Sequence, residues 1–423
     1  MNEKHDTNRR RTPRPPAFNG GRLLLATLIG GLALPLLPGV ARSEDAAPGS
    51  SVDPALIQKL LKRVDELEGE VRQLRKAQSS PSSSSLAASE VAAAKDNFPQ
   101  IQFHGFGDVT YHVNNGRGDK NAFALGQLDF FVVSRIADNI SILNENVVEA
   151  GGDNNFGFEV ERLLLQYRGN DWFNVDLGRY HTSIGYYNTA YHHGTWFQTA
   201  TGRPQFLDFE DGGGLIPTHG VGLAFHGAIP SGSLNMNYAF EISNGRSYHS
   251  NNGNNPVLNV NDDNEYKAFN LALTVKPDGL EGVQAGAGVY HDTLTPENLP
   301  RTDEFLFHGH IVYKNSTWEW LNEGFLMRHH ERGGGTHWSP AAYTQVARAF
   351  GKWKPYARFS YVNATDADNA LTLIGANGLR WGPSVGIRYD FSSLAAIKLQ
   401  YDRVQQQSDR NLNQFTTQVA FTF

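Results

Sequence analysis

The chain has 423 residues and a formal net charge of −6, and its 43 Gly, 25 Phe, 16 Tyr and 7 Trp stand beside a mean hydropathy of −0.43. So many aromatic residues in a hydrophilic average exclude a bundle of membrane helices, and the negative charge argues against a nucleic-acid partner, which calls for a basic face. The absence of Cys excludes disulfide frameworks, thiolate metal sites and Cys nucleophiles together.

The first element is an apolar run, Leu23–Leu37, preceded by Arg9, Arg10, Arg11, Arg14 and Arg22 and followed by Ala41-Arg42-Ser43. That order is a signal-peptide pattern. The run is too short, and too rich in Gly30, Gly31 and Pro35, to span a bilayer, for which roughly 20 apolar residues are needed. Residues 1–43 are therefore expected to be a leader cleaved after Ser43 rather than a retained anchor. Thr12, Pro13 and Arg14 stand where a twin-arginine signal wants an apolar patch, so that route is not credited.

Residues 53–78 form the second element. Ile57, Val64 and Val71 fall seven apart and Leu60, Leu67 and Leu74 follow each by three, which makes them a and d positions of three heptads, with Asp53 as N-cap and Pro54 at the first helical position. Arg63 and Glu70 then take g positions opposite Glu68 and Arg75 at e, with opposite signs facing. The spacing predicts a short α-helical coiled coil; a lone amphipathic helix lying on the barrel expected of the residues that follow, or on peptidoglycan, is the alternative. Three heptads are short for independent stability, and the choice between dimer and trimer stays open. Residues 79–97, with Pro81 in a serine run, read as a linker.

From Phe98 the period changes to two. In the last strand Phe415, Thr417, Val419, Phe421 and Phe423 point one way and Gln414, Thr416, Gln418, Ala420 and Thr422 the other, so one face suits lipid and the other water. Similar runs predict strands at 100–113, 122–136, 139–150, 158–168, 172–182, 218–229, 232–243, 264–277, 281–292, 302–314, 317–330, 336–350, 353–363, 378–392, 395–406 and 411–423, sixteen in all. Short connections such as Ala137-Asp138-Asn139, Lys314-Asn315-Ser316 and Gly351-Lys352 alternate with mostly longer ones. The expected fold is all-β: a sixteen-stranded antiparallel transmembrane barrel over 98–423, with short turns at one end and long loops at the other.

Leader, amphipathic strands and a final Phe423 make the chain similar to the porins of Gram-negative outer membranes. In that family a C-terminal strand ending in an aromatic residue is read by the barrel-assembly machinery, and Val419-Ala420-Phe421-Thr422-Phe423 matches, with Phe421 and Phe423 as the signal. A coiled coil ahead of the barrel resembles some sugar-specific porins and distant relatives of the phosphate-selective porins, toward which Gly105-Phe106-Gly107-Asp108 also leans. Phosphate selectivity is not carried over, because that group relies on a dense Arg/Lys ladder and this barrel has more Asp and Glu than Lys and Arg. The resemblance implies a homotrimer in outer-membrane lipid, the coil in the periplasm, and passive diffusion of small hydrophilic solutes with no cofactor.

The resemblance also implies that the third outward loop, 183–217, folds inward and narrows the pore. Its candidate constriction residues are Tyr186, Tyr187, Tyr191, His192, His193, Trp196, Phe197, Gln198, Arg203, Asp208, Glu210 and Asp211, and so aromatic a loop packs on itself; filling the lumen as a plug is the alternative. Strand parity assigns Asp108, Asp129, Arg135, Arg162, Arg168, Asp176, Arg358, Arg380, Arg388, Asp390, Lys398 and Asp402 to the lumen wall. Arg358, Arg380, Arg388 and Lys398 fall on three consecutive strands and form a basic strip. Facing acidic loop residues, such a strip sets up a transverse field; pairing that only holds the wall together is the plainer reading.

His192-His193, with His181 and His219 nearby in sequence, invite a metal reading, but no HExxH spacing accompanies them and adjacent histidines point apart, so no metal site is expected. No G-x-S-x-G or P-loop spacing supports an enzyme. A non-conducting tether or adhesin barrel is the competing class, and it differs from a porin in having no need to conduct ions.

Overall fold

The structure, a computed structural model, describes residues 100–116, 121–150, 155–192, 194–207, 214–248, 262–407 and 411–423. The expected leader, coiled coil and linker lie outside them, as do His193, Asp208, Glu210 and Asp211.

Sixteen strands run in chain order: β1 (Gln100–Asn114), β2 (Ala122–Ala137), β3 (Ile140–Ala150), β4 (Phe156–Arg168), β5 (Asn174–His181), β6 (His219–Ile229), β7 (Met236–Asn244) and β8 (Lys267–Val275), then β9 (Val283–Leu294), β10 (Thr302–Lys314), β11 (Trp318–Glu331), β12 (Thr336–Arg348), β13 (Trp353–Ala364), β14 (Gly378–Asp390), β15 (Ala395–Gln406) and β16 (Leu412–Thr422). Each pairs antiparallel with its sequence neighbours, and β1 pairs with β16, so the sheet closes and leaves no unpaired edge. Two short helices, α1 (Tyr186–Ala190) and α2 (Asn369–Leu373), lie in loops.

At the starts of β5, β7 and β8, which come later than the sequence expectation, local turns decide. β5 begins at Asn174 because the Asn170 side-chain oxygen accepts from the backbone N–H groups of Trp172 and Phe173 at 2.8 and 2.9 Å, a turn that competes with pairing. β8 starts late for the same reason, with the Tyr266 N–H donating to Asn264 Oδ1 at 2.8 Å. A 3-10 turn at Gly232–Leu234 delays β7.

Period-two alternation sorts the two faces. On β10 Glu304, Leu306, His308, His310 and Val312 are buried inward, while Phe307 and Ile311 are exposed outward. Trp172, Phe173, Trp318, Phe350, Trp353 and Phe391 are all exposed and all sit at the short turns, which gives that rim an aromatic girdle of the kind barrels place at a membrane interface. At the seam, Gly105 and Phe423 exchange backbone hydrogen bonds at 3.0 and 2.9 Å. The Phe423 ring lies over Gly105, where a Cβ would meet ring Cζ at 2.5 Å and the Asp129 carbonyl at 2.7 Å. Phe421 covers Gly107 in the same way, so the last strand's aromatic residues fill what two glycines leave open.

Candidate functional site

The 182–218 connection between β5 and β6 reaches into the barrel, and the polar contacts that hold it are made by inward side chains of the far wall. Its first turn, α1, rests on β11. Glu323 accepts from the backbone N–H groups of Tyr186 and Tyr187 at 2.6 and 2.8 Å and from the Tyr343 hydroxyl at 2.6 Å, which caps the exposed donors of a helix start. The preceding Gly185 N–H donates to His308 Nδ1 at 3.2 Å.

The loop then crosses to β13–β15. Lys398, fully buried, donates to the Thr195 and Ala200 carbonyls at 2.5 and 3.3 Å. Arg388 donates to the Trp196 and Gln198 carbonyls at 2.8 and 3.0 Å, lies 4.7 Å from the centre of the Trp196 ring and also donates to Asp390 at 2.8 Å. Arg358 donates to the Gly202 carbonyl at 3.0 Å, and Gln400 accepts from the Thr201 N–H at 3.1 Å. Thr199 donates to Glu319 at 3.0 Å. Phe197 meets Phe106 of β1 edge-on at 5.4 Å, and Tyr187 donates its hydroxyl to Gln198 within the loop.

Returning, Phe206 packs 4.9 Å from Phe325, and the loop joins Ile184, Tyr187, Tyr191, Leu207, Leu215 and Ile216 to the inward residues Leu306, Leu321, Met327 and Tyr343 in one apolar cluster. Burying a large apolar side chain stabilises by about 1.5–3 kcal/mol, so this is an anchored segment rather than a draped one. Burial pushes the Tyr191 hydroxyl well above its usual titration range and the nearby Glu319 adds to the shift; it accepts from Lys314 at 3.1 Å. Arg246, just past β7, is fully buried; burial opposes its charge, but Glu304 at 3.4 Å together with Tyr248 and Tyr290 outweighs that and raises its pKa, and it donates to the Leu215 carbonyl.

Of the expected wall residues, Asp108 accepts from Gln418 at 2.9 Å and Thr110 at 3.0 Å, Asp129 is fully buried, and Arg162 pairs with Glu145. Arg168 pairs with Asp176 at 2.5 Å, and Asp402 accepts from Gln400 and Ser384. Arg135 instead lies exposed at a short turn beside Asp138, and Arg380 donates to the Ala376 carbonyl at 3.5 Å in the seventh loop. The expected basic strip therefore divides: Arg358, Arg388 and Lys398 grip carbonyls of the third loop, and Arg380 turns to the seventh. Arg203 is half-buried on the returning half of the loop.

Sequence reasoning missed Glu319 and Glu323, although parity places both inward with Leu321, Phe325 and Met327 on β11. Apolar residues on the inner face of a strand whose outer face is also apolar are the signal that something covers the lumen side. Between the first half of the loop and β7–β10 lies a cavity of about 320 Å³, lined by Ser183, Gly185, Thr189, His308 and His310 among others.

No family model and no curated protein matches the sequence. Among solved structures, the chain is similar to an anion-selective porin from Comamonas acidovorans (TM-score 0.56, 11% identity, covering 77% of this chain and 100% of that one). It is also similar to Salmonella typhi OmpF in complex with daunomycin (0.54, 12%, 78% and 99%) and to the outer membrane channel DcaP of Acinetobacter baumannii (0.53, 12%, 77% and 97%). With the closed ring of sixteen antiparallel strands and the loop folded inside it, these likenesses give the chain the fold of the bacterial outer-membrane porins.

Proposed function

We propose that the protein is a porin of the Gram-negative outer membrane, passing small hydrophilic solutes or ions by passive diffusion through a lumen whose width the third loop sets. The observation that carries this is the loop's attachment: buried cations and carboxylates from the opposite wall hold its backbone across the barrel, a costly arrangement unless a fixed cross-section is needed. The aromatic girdle and the likeness to proteins described as a porin and an outer membrane channel support it. In this reading residues 53–78 form a periplasmic coil that helps hold a homotrimer, as the trimer form of a similar Vibrio cholerae outer membrane protein (TM-score 0.52, 12% identity) suggests for the barrel. Deleting 53–78 is expected to lower the mass of the assembly in detergent while each barrel stays folded, as light scattering and heat-modifiable gel mobility would report.

The test of the whole reading is current through the purified protein in a planar bilayer. Discrete, persistent steps are expected, and the reversal potential across a salt gradient then gives the favoured ion sign. A second reading, a barrel plugged by its third loop and serving as a tether, is favoured by the apolar cluster that fills the space between loop and wall. Folded barrels that pass no current would select it.

A further inference from the structure

Where the third loop leaves and rejoins the wall, four side chains from four segments converge: Glu161 on β4, His181 ending β5, His192 just past α1 and His219 opening β6. One ligand atom from each belongs to a set whose members all lie within 4.8 Å of one another. Glu161 Oε2 is 2.5 Å from His219 Nε2, 3.6 Å from His192 Nε2 and 3.9 Å from His181 Nε2. Ligand atoms around a tetrahedral zinc, bound at 2.0–2.1 Å, stand roughly 3.3 Å apart, so two of the three spacings already suit an ion and the third needs to open by less than about 1 Å.

The hydrogen bonding fixes how His192 presents itself. The Asn188 side-chain nitrogen donates to the Thr182 and Thr218 carbonyls at 2.8 and 3.2 Å, so its oxygen must face His192 Nδ1, 2.8 Å away. A carbonyl oxygen accepts only, so Nδ1 carries the proton and neutral His192 aims the lone pair of Nε2 at the Glu161 carboxylate. Two electron pairs facing each other repel unless a cation lies between them. At 3.6 Å the pair is too long for a hydrogen bond from an imidazolium, and a ligating His whose other nitrogen donates to a carbonyl is the usual outer-shell arrangement of metal sites. His192 also holds a left-handed backbone, φ 45°, a strained conformation that persists only where its surroundings demand it.

Charge fits as well. The neighbouring guanidiniums already face other carboxylates, Arg162 with Glu145 and Arg179 with Glu159 at 3.0 Å, so the cluster itself contributes one carboxylate and three imidazoles. Three nitrogens and one oxygen suit the zinc class and not calcium or magnesium. We propose that Glu161, His181, His192 and His219 bind one divalent transition-metal ion, which clamps the base of the third loop to the barrel wall. The clamp stands on its own whether or not the barrel conducts.

The test uses the full chain, purified in detergent, stripped with a chelator and titrated with cobalt(II) as the probe. One equivalent is expected to give visible absorption of tetrahedral intensity, lost on adding zinc. His192→Gln, on the loop rather than a strand, is expected to abolish the signal while heat-modifiable mobility shows an intact barrel. Asn188→Ala is expected to weaken binding 10–100-fold, as loss of an outer-shell partner does. A folded wild type without the tetrahedral spectrum overturns the proposal. So does a spectrum that survives both His192→Gln and Glu161→Gln, since the ion then sits elsewhere.

Discussion

Deleting residues 186–211 is expected to raise single-channel conductance severalfold and to shift the reversal potential toward anions. The deletion removes the segment that crosses the lumen, and with it the carbonyls of Thr195, Trp196, Gln198, Ala200, Thr201 and Gly202 that now occupy the three cations of β13–β15. Lys398, Arg388 and Arg358 would then face water, three positive charges against Asp390 and the released Glu319 and Glu323, while the deleted stretch takes away Asp208, Glu210 and Asp211 against Arg203, so the net change is toward positive charge. Inside a low-dielectric wall such charges favour anions at the mouth of a pore. Single-channel recording and a salt-gradient potential measure both effects on one preparation, with gel mobility as the check on folding. Unchanged conductance would mean that the narrowest point lies elsewhere, and a larger conductance with unchanged selectivity would mean that Lys398 and its neighbours find other partners.

The strands were legible in the sequence because a wall with lipid outside and polar contacts inside must alternate, and the alternation survives every connection. That is why β10 and β15 coincide with their expected limits and the other strands differ by a few residues at their ends, the late starts of β5, β8 and β7 falling where Asn170, Asn264 and a 3-10 turn compete for the backbone. The length and aromatic character of the third loop were legible too. What its charges would meet was not. Arg388 and Lys398 bind backbone carbonyls, and a carbonyl has no letter in a sequence, so parity can give their direction and not their partner. The gathering of Glu161, His181, His192 and His219 was not legible for a related reason: Glu161 and His219 lie 58 positions apart, and only the fold of β4 beside β5 and β5 beside β6 brings them to one point. Side chains gathered from four segments leave no spacing to recognise.

Glu323→Leu should release the loop without opening the barrel. The carboxylate is the shared acceptor for two backbone N–H groups at the start of α1 and for the Tyr343 hydroxyl, all of them inside the apolar cluster. Leucine fills similar volume but accepts nothing, and a buried donor left without a partner costs about 1–3 kcal/mol, so three of them should destabilise the docked loop by roughly 3 kcal/mol or more. The β10–β11 and β11–β12 ladders run past position 323 on backbone bonds alone, so the wall itself should persist. The expected readout is protease cleavage within 194–207 of an otherwise intact barrel, together with noisier open-channel current. Glu323→Gln keeps one accepting oxygen and should show a smaller effect in both. Equal behaviour of the two variants would mean that the acceptor is not what holds α1, and that the packing of Tyr187 and Phe206 against Tyr343 and Phe325 suffices.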